Sequence, residues 1–163
     1  MKTFGIVGWK NSGKTDLIER LLKELINRGH LVSTIKHAHH NFDVDHAGTD
    51  SYRHRTAGAK EVFISSRQRF ALMHELYDEI ELTLDEILPR LAPVDLVLVE
   101  GYKRERHQKI EVHRAGTKGE LMAPHDPTIC AIASDVKLTT DDQLLDLNDT
   151  PTIADFISRK VGL

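Results

Sequence analysis

The segment Gly8-Trp9-Lys10-Asn11-Ser12-Gly13-Lys14-Thr15 constrains this chain more than any other part of it. It fits G-x-x-x-x-G-K-[ST], and it sits in the surroundings that give that pattern meaning. An apolar run, Phe4-Gly5-Ile6-Val7, leads in, and an amphipathic stretch follows from Asp16 to Arg28. Leu17, Ile18, Leu21, Leu22, Leu25 and Ile26 recur there at helical spacing, with Gly29 at the exit. Strand, glycine-bearing loop and helix in that order make a phosphate cradle. Main-chain N–H groups of the loop and of the first helical turn point inward, where the helix dipole favours negative charge. Gly8, Lys10, Asn11, Ser12 and Gly13 are therefore nucleotide-binding candidates. Lys14 is expected to reach the β and γ phosphates, and the Thr15 hydroxyl to ligate Mg²⁺. The motif leaves open which base is bound, and whether the γ phosphate is transferred, hydrolysed or only sensed.

A length of 163 residues suits one domain, 1–163, with a full core and no need of staples. A net charge of -3 with interspersed signs argues against a general nucleic-acid binder, although Lys103, Arg104 and Arg106 cluster. The single cysteine, Cys130, excludes a disulfide framework and falls inside an apolar run, where a buried, inert thiol is expected. No run approaches a membrane span and no signal peptide is visible, so the expected compartment is the cytoplasm.

Strand and helix patterns alternate along much of the chain. Leu31–Lys36 reads as a second strand, and Thr49–Ala57 as a helix capped by Thr49 or Asp50. Glu61–Ser65 and Arg69–Met73 read as a hairpin that departs from the alternation. Thr83-Leu84-Asp85-Glu86 is a capping-box pattern, opening a short helix that ends before Pro93. Val94–Val99 is an almost continuous apolar strand, of the kind buried on both faces of a parallel sheet. Further strands are expected at 110–113, 129–133 and 144–147, and a last helix at 152–160 with Thr150 as cap and Pro151 at its first position. The fold class is α/β: a P-loop NTPase-type, mostly parallel sheet flanked by helices, with an additional antiparallel hairpin.

Ligands in such sheets lie beyond the carboxyl ends of the strands, so those residues are the ones to read for chemistry. Glu100 closes the most apolar strand and suits either Mg²⁺ ligation or the orienting of a water for attack on the γ phosphate. Asp95 lies at the opposite edge. After the second strand come Lys36, His37, His39 and His40, with Asp43, Asp45, Arg53, His54 and Arg55 beyond. Three readings of this stretch stay open: a transition-metal site, an anion-binding wall for a second ligand, and a plain polar loop. Asp45 is a secondary Mg²⁺ candidate. Asp135, after a late strand, can accept N1–H and N2–H₂ of guanine, or merely close a Ser-Asp turn. The N-K-x-D pattern of many GTP-binding proteins is absent. Lys103 either clamps a phosphate of a second ligand or belongs to a solvated charged loop. Trp9 either stacks on a base or packs on the sheet edge, and packing is the expectation.

Five segments in order resemble the MobB family of molybdopterin-guanine dinucleotide biosynthesis accessory proteins. They are the phosphate loop, Ile35-Lys36-His37-Ala38-His39-His40, Asp50-Ser51-Tyr52-Arg53 with Ala57-Gly58-Ala59, Leu98-Val99-Glu100-Gly101-Tyr102-Lys103, and Ala131-Ile132-Ala133-Ser134-Asp135. The resemblance implies a P-loop protein that binds GTP with Mg²⁺, hydrolyses it slowly, and works beside the guanylyltransferase that joins GMP to molybdopterin. It also implies a homodimer, with molybdopterin or its guanine dinucleotide as a possible second ligand. Carried over by position, Lys10 to Thr15 hold the triphosphate, Thr15 and Glu100 hold Mg²⁺, and Asp135 contacts guanine. The wider class includes ATPases with an extra lysine directly after the first loop glycine; Trp9 stands there instead.

No strong base or arginine finger in cis is evident, which fits slow turnover. Arg53, Arg55 or Arg104 could act across a dimer. Two alternatives use the same cradle: a small-molecule kinase with a second pocket along His37–Arg55, and a metal-insertion GTPase that carries nickel or zinc on the histidines.

Overall fold

Six parallel strands form the main sheet, in the order β2-β5-β1-β6-β7-β8. They are β1 (Lys2–Val7), β2 (Val32–Lys36), β5 (Leu96–Glu100), β6 (Lys109–His113), β7 (Ile129–Ser134) and β8 (Leu144–Asp146). In this computed structural model, residues 1–38 and 42–163 are described. The chain divides into two compact units, one made of Met1–His37 with Leu88–Leu163 and the other of Ala38–Ile87.

One face of the sheet is covered by α1 (Lys14–Asn27) and α4 (Thr150–Val161). Leu17, Ile18, Leu21 and Leu25 of α1 and Ile153, Ala154, Phe156 and Ile157 of α4 meet Phe4, Ile6, Leu96, Leu98, Ile110 and Val112 in one core. Each of these side chains apart from Ala154 contributes about 1.5–3 kcal/mol on burial. Arg20 of α1 and Arg28 at its C-cap tie the helix to α4 and its approach: Arg20 donates to Thr150 Oγ1 and, through Nη2, to Leu147 O at 3.0 Å, and Arg28 pairs with Asp155 at 2.6 Å. On the opposite face Val7, Ala123, Ile129 and Ile132 form a smaller cluster.

Two buried charges shape that second face. Lys109 is fully buried, and its Nζ donates to Glu105 O (2.5 Å), Thr128 Oγ1 (2.6 Å), Lys103 O (3.2 Å) and Asp126 Oδ2 (3.3 Å). An ammonium out of water needs such a shell of oxygens. It pins the helix-free crossover 101–108 that carries the chain from β5 to β6. Glu111, also buried, accepts the Met122 and Ala123 N–H groups at 2.8 and 2.9 Å and so caps the 3₁₀ turn Ala123–His125.

The second unit holds α2 (Asp50–Thr56), the antiparallel pair β3 (Glu61–Ser65) and β4 (Phe70–His74), and α3 (Leu84–Ile87). Thr49 caps α2 as expected. Thr83 and Glu86 make the reciprocal capping-box bonds, but α3 lasts only four residues before a 3₁₀ turn, Leu88–Arg90. Pro89 has no N–H to continue the ladder, which accounts for the shorter helix. At α4 the cap is Asp149, which accepts Thr152 N–H at 3.1 Å, one residue before the expected Thr150.

Candidate functional site

The phosphate loop joins β1 to α1 at the point where the strand order turns from β5 on one side to β6 on the other. Its backbone is specialised. Gly13, at the N-cap of α1, has φ 93°, Asn11 has φ 63°, and no side chain caps the helix. The first intrahelical bond is Leu17 N–H to Gly13 C=O at 3.0 Å. The amides of Lys14, Thr15 and Asp16 are thus the orphan donors of a helix start, the groups that receive anions in such loops. Gly8 is required by close approach: a Cβ there would lie 2.5 Å from both Ser12 Oγ and Val112 O. Ser12 is itself fully buried beneath the loop.

Lys14 Nζ donates to Trp9 O at 2.8 Å and Gly8 O at 3.1 Å, curling back over the loop. Burial holds its pKa below the ordinary lysine value; Glu100 opposes that shift, and Lys103 and Lys36 add to it. Lys36 and Lys103 thus stand close enough to Lys14 to repel its charge, with Glu100 as the opposing carboxylate. Glu100, at the end of β5, receives the Thr15 hydroxyl at 3.4 Å on Oε1 and faces Lys36 Nζ at 3.6 Å with Oε2. Thr15 and Glu100 are oxygen donors of the kind that suits Mg²⁺, which keeps several waters and takes few protein ligands. The excess of ammonium groups suits a polyanion.

Trp9 packs, as expected. Its Nε1–H donates to Glu120 O at 2.8 Å, its ring lies where a Cβ on Gly119 would fall, and Lys103 Nζ stands 4.3 Å over the ring. Lys103 is therefore beside the cradle. His37 is too: its N–H donates to Glu100 O at 3.0 Å and its ring meets Tyr102 at 4.9 Å. Lys10 is exposed on the loop. Asp135 follows β7, and its Oδ1 accepts Ala115 N–H at 2.9 Å, joining the loops beyond β6 and β7.

Arg53 and Asp45 belong to the second unit. Arg53 lies beside Asp50 at 4.0 Å and lines a hollow of about 530 Å³ with Asp50 and His54. Asp45 is buried with Arg55 Nη2 at 2.8 Å, and this bond holds the carboxyl below the usual carboxylate range. His39 and His40 lie outside the described residues. Among the described residues no group of three or more histidine, cysteine or acidic side chains could hold a metal ion.

Sequence reasoning passed over Arg114. Its guanidinium lies against Gly13 and donates to Asp16 Oδ2 at 3.1 Å. Its place directly after the carboxyl end of β6 was the available signal.

A parallel sheet with a glycine loop at its switch point, a lysine over that loop and a hydroxyl–carboxylate pair beside it define a P-loop protein. The family model for MobB, molybdopterin guanine dinucleotide synthesis protein B, matches residues 3–135. The molybdopterin-guanine dinucleotide biosynthesis adapter protein of Escherichia coli is 44% identical over 153 residues, covering 91% of this chain and 87% of that protein. Its counterpart in Haemophilus influenzae is 43% identical over 157 residues, covering 94% and 85%. Among solved structures, the MobB homolog from Bacillus stearothermophilus superposes with a TM-score of 0.74 at 27% identity, over 99% of each chain. The chain belongs to the MobB family.

Proposed function

We propose that this chain binds GTP with Mg²⁺ and serves as an accessory protein to the guanylyltransferase that attaches GMP to molybdopterin. The pathway rests on relatives named as molybdopterin-guanine dinucleotide biosynthesis adapter proteins. The nucleotide reading rests on one observation above the others: Thr15 and Glu100 oxygens 3.4 Å apart, beside the Lys14 ammonium and the open start of α1. Gly8 and Lys10 to Thr15 hold the triphosphate, and Asp135 supports guanine on its remaining oxygen. Thr15 and Glu100 would hold Mg²⁺, which neutralises phosphate charge when bound. Asp45, the secondary Mg²⁺ candidate, is engaged by Arg55 at 2.8 Å within its own unit.

Slow hydrolysis follows from the groups around the γ position. Glu100 is the carboxylate available to orient a water, and Lys36 already draws on its charge at 3.6 Å. Lys36 and His37 lie on the edge where a second ligand, molybdopterin or its dinucleotide, would approach. A homodimer is supported by the hairpin of the second unit, where Phe63 and Phe70 stack at 5.5 Å while both stay largely exposed. Exposed paired aromatics on a two-stranded sheet favour a covering surface. A cytoplasmic setting suits Cys130, a half-buried thiol whose pKa burial pushes up.

Titration calorimetry with GTP and ATP, in Mg²⁺, with and without the transferase and molybdopterin, tests the proposal. GTP binding tighter than ATP, and enhanced GMP transfer when the chain is added, is the expected result. Equal affinity for the two nucleotides would remove the guanine reading, and unchanged transfer would remove the accessory role.

A further inference from the structure

We infer that Arg114 is a nucleotide-positioning residue that grips the α phosphate, on the side of the cradle away from Glu100. The inference rests on the nucleotide reading given above. The strand order supplies the geography. Along the carboxyl edge of the sheet come β5 with Glu100, β1 with the phosphate loop, β6 with Arg114 and β7 with Asp135. A nucleotide with its metal-bound end at Glu100 and its base at Asp135 must pass Arg114. The stretch between those ends begins with the α phosphate.

Arg114 is built into that place from three directions. A Cβ on Gly13 would fall 2.5 Å from Arg114 Nε and 2.7 Å from its Cζ, so the guanidinium lies flat on the N-cap of α1. Its Nη2 donates to Asp16 Oδ2 at 3.1 Å. Its backbone is locked in a turn, with Arg114 N–H donating to Thr117 Oγ1 at 3.1 Å, and the next amide, Ala115 N–H, is held by Asp135. Nε and Nη1 have no hydrogen-bond partner among the described residues, and the side chain is 39% exposed.

Electrostatics points to an anion. Asp16 Oδ2 is shared between Arg114 and Arg20, so two guanidinium groups face one carboxylate and one positive charge is in excess. That excess stands at the positive end of the α1 dipole, an unfavourable place for a cation in the free protein. A phosphate bridging the first-turn amides and Arg114 turns the repulsion into attraction, and the planar fork suits phosphate oxygens.

The test is calorimetric titration of GTP and GDP, each with Mg²⁺, against the wild-type chain, Arg114→Ala and Arg114→Lys, with melting curves for all three. Both nucleotides carry the α phosphate. Arg114→Ala should therefore weaken GTP and GDP by the same factor, about tenfold, leaving their ratio unchanged, while Arg114→Lys recovers part of the loss. Undiminished affinity in Arg114→Ala overturns the inference, and so does a loss confined to GTP, which would place the guanidinium at the γ phosphate. Should both variants melt early, Arg114→Gln, which keeps part of the stem and a neutral donor, replaces them and must lower the two affinities in equal proportion. A wild-type chain that binds neither nucleotide instead removes the nucleotide reading itself.

Discussion

Thr15 Oγ1 and Glu100 Oε1 stand 3.4 Å apart, although 85 positions separate them in the chain. β1 and β5 are parallel neighbours with Ile6 opposite Glu100, so the start of α1 and the end of β5 emerge at one edge. In the function proposed above, this pair would hold the divalent cation. Replacing Glu100 by Gln keeps the shape and removes the charge. We predict that Mg²⁺-dependent hydrolysis falls by more than tenfold while GTP affinity changes severalfold at most. Phosphate-release assays beside calorimetry would read both, and equal losses would make the side chain structural.

Lys14 bonds two carbonyls of its own loop. In the proposed complex, those bonds hold the ammonium where phosphate oxygens would arrive. A charged hydrogen bond is worth about 1.5–3 kcal/mol, so Lys14→Ala should weaken GTP by roughly tenfold or more. The melting temperature should stay close to that of the wild type, because the ammonium caps no core group. Unchanged affinity would refute the assignment.

Gly8 has no space for a side chain. Its would-be Cβ meets Val112 O, a backbone atom of β6 that cannot swing aside. Overpacking of this kind costs about 1–3 kcal/mol, so Gly8→Ala should lower the urea midpoint and nucleotide affinity together. A variant as stable as the wild type would show the loop to be looser than its geometry.

Lys109 is the anchor of the crossover that carries Lys103 to Trp9. Lys109→Met keeps much of the volume but strands Thr128 and Asp126 and frees two carbonyls. An unsatisfied buried polar group costs about 1–3 kcal/mol, and a loss of that size in chemical denaturation is expected. Trp9 fluorescence should shift as well, since the loop holding Lys103 over the indole would loosen. Stability equal to the wild type would mean that water replaces the ammonium.

Two histidines respond to pH with opposite signs. Burial, with Lys109 nearby, pushes His107 down to about 4. Below the free-histidine value of about 6.5 the unfolded chain takes up a proton that the folded chain refuses, so stability falls as pH drops from about 6.5 to about 4. His74 is raised, by Glu61 at 2.6 Å and Glu79 at 3.1 Å. Its contribution is complete below about 6.5 and disappears as pH climbs through the raised value. Urea midpoints measured against pH should lose the acid-side slope in His107→Phe and the alkaline-side fall in His74→Asn. Unaltered profiles would remove both assignments.

Much of this was legible in the chain itself. The phosphate loop, the buried run of β5, the hairpin at 61–74 and the caps at Thr49 and Thr83 are local. Each depends on residues within about one turn or one strand of one another, and local spacing encodes them. Helix ends were less legible, as Pro89 and Asp149 illustrate, because a cap competes with its neighbours through bonds that composition does not rank. The packing of Trp9 against Gly119 and Glu120 was expected in kind but not in partners.

From sequence alone came the class of fold, the cradle, and the family to which the five ordered segments point. The tertiary structure alone decided that Arg114 lies on Gly13, that Lys109 is caged by four oxygens, and that Glu111 turns inward to cap a 3₁₀ turn. These pairings follow from a strand order in which β6 lies beside β1 and β7 beside β6. Periodicity shows which face of a strand is buried. It carries no information on which strand lies alongside, and a charge finds its partner only once that neighbour is set.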